Sequence, residues 1–332
     1  MVLNFCDKII NLKGNIDKPE SCWRFDEQYE GIYAEGAREK EVYFSPVDPD
    51  NKYIKRDWRY IFKLSRNLKW CPWQFWVEII AYRLGSLVGV NVPPAHIGFN
   101  PHYYQNVDGS FTAVYGALIE WFYDDRSDNY ISGGQILSSF IEDYDRKKGS
   151  QHNLETILIK TDDPKQYEDW AKILTFDTLI ANTDRHHDNW GRIYSKNENG
   201  EVVNRLSPAF DNGTAMEYSV QEEDFYKYKD KNKLRAYLEN AKNARHHMKW
   251  SLSDSCPLNY YNFMTKFVLK YPEAKPIINS CLQFERCDLE RILLPLSNSV
   301  NDDDYRLTQT RLDFMLDMIF HRKRLLEKTI GL

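Results

Sequence analysis

Short apolar runs dominate the first third of the chain, and most are too short and too rich in aromatic and β-branched residues to be helices. Residues 31–47 read as a loop leading into a strand, residues 58–64 as a strand, and residues 92–97 and 112–122 as two more, the last ending Leu118-Ile119-Glu120-Trp121-Phe122. Between them, residues 72–88 predict a helix, with Pro72 in the first turn and Trp76, Ile80, Leu84 and Leu87 recurring at helical spacing. Glu78 is the only acid on that helix, and at about 100° per residue it falls away from the apolar stripe, facing either a cleft or water. A polar run over residues 124–134 reads as a connection.

Beyond that run the pattern becomes mainly helical. Residues 167–181 carry Trp170, Ile173, Leu174 and Ile180 on one side, which predicts a buried helix that delivers Asn182 and Asp184 to a cleft, and residues 308–327 carry Leu312, Met315, Ile319 and Leu326. Residues 197–200 form a turn between two strands. Residues 221–250 are charged and aromatic and read as a solvated helix, with a substrate-facing segment as the alternative for the end, Asn243-Ala244-Arg245-His246-His247-Met248-Lys249-Trp250. The expectation is an α+β protein: a small β-rich part over residues 1–122 and a mainly helical part over residues 123–332.

Composition narrows the class. The chain has 332 residues, 42% apolar and 28% charged, ample for a buried core and ordinary for a globular protein. A net charge of −5 makes no electrostatic case for nucleic acid as the main partner. No apolar run is long enough to span a membrane, and the N-terminal residues show no secretory signal. Six cysteines, none in a Cys-x-x-Cys pair, argue against structural zinc and for free thiols in a reducing compartment. A cytoplasmic location is the expectation; delivery into a host cell cannot be read from sequence.

The candidate chemistry lies in two segments, Ala181-Asn182-Thr183-Asp184-Arg185-His186-His187-Asp188-Asn189-Trp190-Gly191 and Ser207-Pro208-Ala209-Phe210-Asp211-Asn212-Gly213. Phosphoryl transfer from ATP needs a carboxylate to orient the attacking hydroxyl and oxygen ligands for the magnesium that holds the phosphates. Asp184, Asn189 and Asp211 are candidates for those three tasks, since magnesium prefers carboxylate and amide oxygens with phosphates completing its shell. Either segment alone reads equally well as a solvated turn; a metal pair made of His186 and His187 is a further rival, weakened because adjacent side chains on a strand point apart.

The spacing from Asp184 to Asn189, with Asp211 on a later strand, is similar to the kinase pattern, but the loop order is Asp-Arg-His rather than His-Arg-Asp. That order resembles the HipA-like serine/threonine kinases, bacterial toxin kinases whose fold is related to the phosphatidylinositol 3/4-kinases. The resemblance implies a two-lobed kinase fold with an ATP cleft. It further implies Gly36, Ala37, Arg38 and Lys40 in a phosphate loop, and Lys63 on the α- and β-phosphates with Glu78 as its partner. Glu120 and Phe122 would meet the adenine, Asn189 and Asp211 would hold Mg2+, Asp184 would orient the acceptor, and His186 would brace the loop. Where the family carries a serine before the loop glycine this chain has Tyr33, so control by a loop phosphoserine is not expected. The chain begins close to Gly36, as in compact members without the family's extra N-terminal subdomain. The implied partners are a protein substrate with a Ser or Thr acceptor and an antitoxin-type regulator.

Overall fold

The computed structural model describes residues 3–13, 19–27, 39–160, 166–240, 242 and 244–332. The chain divides into two compact units: Met1–Leu84, Pro93–Trp121 and Glu290–Leu312 form one, and Gly85–Val92, Phe122–Leu289 and Asp313–Leu332 the other.

The first unit is built on a six-stranded sheet. Its strands are β1 (Ile10–Asn11), β2 (Arg24–Phe25), β3 (Lys40–Phe44), β4 (Arg59–Lys63), β5 (Ala95–Gln105) and β6 (Phe111–Glu120), in the order β1-β5-β6-β4-β3-β2. The pleat sends alternate residues to opposite faces, and in and just after β4 the apolar set Tyr60, Phe62 and Leu64 is buried in one core cluster. Phe62 lies across a pair of opposed glycines: a Cβ on either Gly98 or Gly116 would come within 2.8 Å of its ring. Burying that ring contributes roughly 2–3 kcal/mol, which a methyl group at either glycine would erode.

The period-3.6 stripe produces a 3-10 turn, Pro72–Phe75, running into α1 (Trp76–Val88). Its buried side chains are fixed by the late stretch Glu290–Leu312. Trp76 Nε1 donates to the Tyr305 carbonyl at 2.7 Å, and Arg83 donates to the carbonyls of Ile292 at 2.6 Å and Cys6 at 3.0 Å.

The second unit pairs a three-stranded antiparallel sheet, β7 (Asn129–Ser132), β8 (Gly191–Lys196) and β9 (Val202–Leu206), with helices. These are α2 (Gly133–Phe140), α3 (Leu154–Lys160), α4 (Gln166–Ile180), α5 (Lys231–Glu239), α6 (Tyr260–Lys270) and α7 (Lys275–Cys281), together with the later part of α9 (Gln309–Ile330). Between α7 and α9, α8 (Arg286–Leu293) crosses from this unit into the first.

Two sequence expectations change, and one is extended. The polar run 124–134 is not only a connection: residues 129–132 pair with β8, and Ser132 with Gln135 forms a reciprocal capping box that starts α2. Helix α4 is buried, as its apolar side predicts, and the burial takes in nearly its whole circumference, Asp177 included. Residues 221–250 are not one solvated helix. A 3-10 turn (Glu222–Tyr228) precedes α5, and the end of the segment is irregular, bridging Arg245 to Asn259 and Lys249 to Asn153, with Ala244, His246, Met248 and Trp250 buried. All six cysteines are free thiols.

Candidate functional site

In the first unit the β3–β4 register places Lys40 directly opposite Lys63, so the two ammonium-bearing side chains leave the same face of the sheet. Lys63 is 6% exposed and pairs with Glu78 at 3.1 Å, Glu78 itself being 3% exposed. The helical wheel had left Glu78 between cleft and water; burial of both charges is sustained by their pairing. Gly36, Ala37 and Arg38, the candidate phosphate loop, and Tyr33 lie outside the described residues.

The end of β6 has a backbone vacancy with a covalent cause. Glu120 N–H donates to the Pro94 carbonyl at 2.8 Å and Trp121 N–H to the Arg59 carbonyl at 3.0 Å. Ala95 is opposite Ile119 in the ladder, which sets Pro94 opposite Glu120. Proline has no N–H to return, so the Glu120 carbonyl is left without its ladder donor. The Glu120 side chain instead accepts from the Tyr60 hydroxyl at 3.2 Å, and burial pushes its carboxyl upward while that bond pulls it down. Pro94 falls inside the strand expected over residues 92–97, whereas β5 begins at Ala95; a proline within an expected strand is the signal in the sequence.

In the second unit the catalytic-loop candidates start from the end of α4. Ala181 adopts φ +54°, Asn182 N–H donates to the Asp177 carbonyl at 2.9 Å, and Ala181 N–H to the Thr178 carbonyl at 3.4 Å. This is a Schellman ending with alanine where glycine is usual. It turns the chain so that the buried Asn182 reaches both ways, its amide nitrogen to Asp177 Oδ1 at 3.3 Å and its oxygen to the Asp184 N–H at 3.0 Å.

Arg185 then gathers the two sequence segments. It binds both oxygens of Asp177, the Asn189 carbonyl at 3.3 Å, the Phe210 carbonyl, and Asn212 Oδ1 at 2.8 Å. Asn189 spends its amide nitrogen on the Asp184 carbonyl at 2.7 Å, which leaves Oδ1 as the atom it can offer a cation. Asp211 sits at φ +54°, a left-handed conformation that Asp tolerates better than most residues. His186 accepts the Asp188 N–H on Nδ1 at 3.2 Å, so its neutral form carries the proton on Nε2. Burial lowers the His186 pKa, opposed by the carboxylates of Asp184, Asp211 and Asp188; one imidazole thus lies within electrostatic reach of both candidate aspartates.

Asp188 is held by a different set of groups. Burial raises its carboxyl, but His187, Ser132 and Arg146 outweigh that and hold it at about 2. Phe122 stacks on Phe210 with centroids 4.9 Å apart at 23°, with Tyr130 edge-on to Phe122 at 5.5 Å. Trp190 Nε1 donates to His152 Nε2 at 3.0 Å. Asp177 and His152 lie outside the two candidate segments, and Arg185 and Asn212 lie within them without a role assigned from sequence.

The donor set suits a hard cation: one carboxylate and one amide oxygen, with phosphate oxygens left to complete an octahedron. Among the described residues, no group of three His, Cys, Asp or Glu is arranged to hold a metal, and His186 and His187 direct nitrogens to Asp188 N–H and to the Arg146 carbonyl.

The profile of the HipA-like C-terminal domain family matches residues 32–283, and the chain belongs to that family. Its fold is the α+β, kinase-like type. A solved structure titled as the Helicobacter pylori proinflammatory kinase CtkA superposes with a TM-score of 0.63 at 18% identity, covering 88% of this chain and 94% of that one. No curated protein matches the chain in sequence. No described helix is long and apolar enough to cross a membrane.

Proposed function

We propose that the protein is a Mg-ATP-dependent serine/threonine protein kinase of the HipA-like type. Family membership supports a kinase, and a kinase of this family implies ATP, generally with magnesium. The observation that carries the reading is Arg185, one buried guanidinium that fixes the segments bearing Asp184, Asn189 and Asp211 relative to one another.

In this reading Asp184 accepts the proton of the acceptor hydroxyl as its oxygen bonds to the γ-phosphorus and the bond to the β–γ bridging oxygen breaks. Asn189 Oδ1 and the Asp211 carboxylate hold magnesium, which when bound neutralises charge on the phosphates. Lys63, oriented by Glu78, holds the α- and β-phosphates, with Lys40 beside it. The Glu120 carbonyl takes the adenine amino group and the Phe122 N–H a ring nitrogen. His186 braces the loop. Positioning and charge stabilisation supply most of the rate.

A test is incubation with labelled ATP and magnesium, alone and with cell lysate, followed by mass spectrometry of labelled protein. Label on serine or threonine supports the proposal. A protein that Mg-ATP stabilises but that never transfers label is a nucleotide-binding pseudokinase. Label appearing only on lipid or small-molecule hydroxyls keeps the kinase and changes its acceptor.

A further inference from the structure

We propose that Arg322, on α9, is a positioning residue for Asp211, acting through Glu217; the inference rests on the magnesium role given to Asp211 above. Three of the seven residues from Asp211 to Glu217 are non-glycine residues in the left-handed region: Asp211 at φ +54°, Met216 at +55° and Glu217 at +49°. Such backbone persists only where its surroundings over-determine it. No helix or strand spans the segment, so its shape is set by the groups that tether it.

Tethers act at its front, its middle and its back. At the front, Arg185 holds the Phe210 carbonyl and Asn212 Oδ1, and Asn212 Nδ2 returns to the Ala209 carbonyl at 2.8 Å. In the middle, Met216 N–H donates to the Ile180 carbonyl at 2.7 Å, at the end of α4. At the back, the Glu217 carboxylate pairs with Arg322, 105 residues away in sequence, each side chain 2% exposed, and takes the Tyr237 hydroxyl at 3.3 Å.

The back tether differs from the others because it is an ion pair removed from water. Buried pairs contribute little net stability compared with apolar replacements, so stability alone is a poor reason for one here. What the pair supplies is position: Arg322 Nη2 and the Tyr237 hydroxyl converge on one oxygen, Glu217 Oε1, and so tie the end of the segment to α9 and α5. Tyr260 extends the connection, its fully buried ring lying within electrostatic reach of Asp177 as well as of Arg322 and Glu217, and packing with Ala181. The Asp211 backbone is thereby referenced to α4 at one end and α9 at the other.

The test uses the full chain with Arg322→Lys, which keeps the charge but replaces the guanidinium's fixed N–H with an ammonium on a differently shaped stem, and the double variant Glu217→Gln/Arg322→Met, which leaves no unpaired buried charge if the single change misfolds. Amide hydrogen exchange over residues 210–217 in nucleotide-free protein should rise by about tenfold or more while α4 stays protected. The magnesium concentration that half-saturates label transfer should rise by about tenfold, with metal-free affinity for a fluorescent ATP analogue within about twofold of wild type. Wild-type exchange over 210–217 in folded variants overturns the proposal, as does raised exchange with an unchanged magnesium requirement. Failure of the kinase reading looks different: wild type itself transfers no label at any magnesium concentration, and Arg322 then positions no metal ligand.

Discussion

Arg185 holds Asp177 with two parallel hydrogen bonds, Nε to Oδ2 at 3.1 Å and Nη2 to Oδ1 at 2.7 Å, both side chains 1% exposed. Burial drives the Asp177 carboxyl upward, and the guanidinium works against it. The pair converts the end of a buried helix into a fixed reference for the loop that follows.

Asp177→Asn leaves Arg185 buried without its counter-charge, a change that costs about 3–5 kcal/mol. Urea unfolding should show the loss as a lower midpoint. A variant within about 0.5 kcal/mol of wild type would mean that the guanidinium has found another anion and that the hub is replaceable.

The two aspartates of the candidate site separate by experiment. Asp184→Asn should reduce label transfer by about 10³-fold or more while nucleotide affinity stays within a few-fold, because its interaction is made in the transition state. Asp211→Asn, which keeps the left-handed backbone accessible, should abolish the magnesium dependence of nucleotide binding in calorimetry. Equal binding losses in both variants would contradict the assignment of roles.

Lys63→Met should cut transfer by about a hundredfold or more and also destabilise the protein, since it removes the buried ammonium paired with Glu78. Adding Glu78→Gln should recover most of the stability and none of the activity. Recovery of both by the double variant would return Lys63 to a purely structural role.

Pro94→Ala restores an N–H opposite the Glu120 carbonyl. The new ladder bond should leave stability unchanged or slightly higher and weaken ATP binding by roughly tenfold, the worth of about one hydrogen bond. Unchanged ATP affinity would show that the adenine does not use that carbonyl.

Acid should unfold the protein partly through its buried histidines. Burial, with Arg185 adding to it, lowers His246 to about 3, and burial with Arg83 lowers His96 to about 4. From an unfolded value near 6.5 down to those values the unfolded chain holds protons the folded chain does not. Stability is therefore full above about pH 6.5 and falls as pH drops, by about 1.4 kcal/mol per pH unit for each group. Denaturation at pH 7.5, 6 and 5 measures the slope; His246→Phe should flatten it, and an unaltered slope would locate the acid sensitivity elsewhere.

The parts of the molecule legible in the sequence are those with local causes. Residues 59–63 form a strand and residues 76–88 a helix because period and breakers are local signals, and the Asp184, Asn189 and Asp211 spacing is local chemistry. Glu78 resisted assignment because its partner is on another element: a helical wheel knows only its own helix. Asp177 reads as one more polar residue on a helix until Arg185 folds back on it, eight positions later. Pro94 becomes meaningful only once register sets it opposite Glu120. The 244–250 segment, rich in Arg, His and Lys, reads as solvated because charge dominates its composition, while alternate residues of it are buried.

The contribution of Glu290–Leu312 to the first unit has a consequence for how the protein is made. Arg83 reaches a carbonyl 209 residues downstream, and Trp76 one 229 residues downstream. A ribosome adding roughly 5–20 residues per second leaves Arg83 and Trp76 waiting for about 10–45 s after they emerge. Through that interval the nascent first unit carries unmatched interior surface on α1, and a chaperone that shelters apolar surface has its natural client there. Synthesis rate and chaperone supply then bear on the yield of folded protein alongside equilibrium stability.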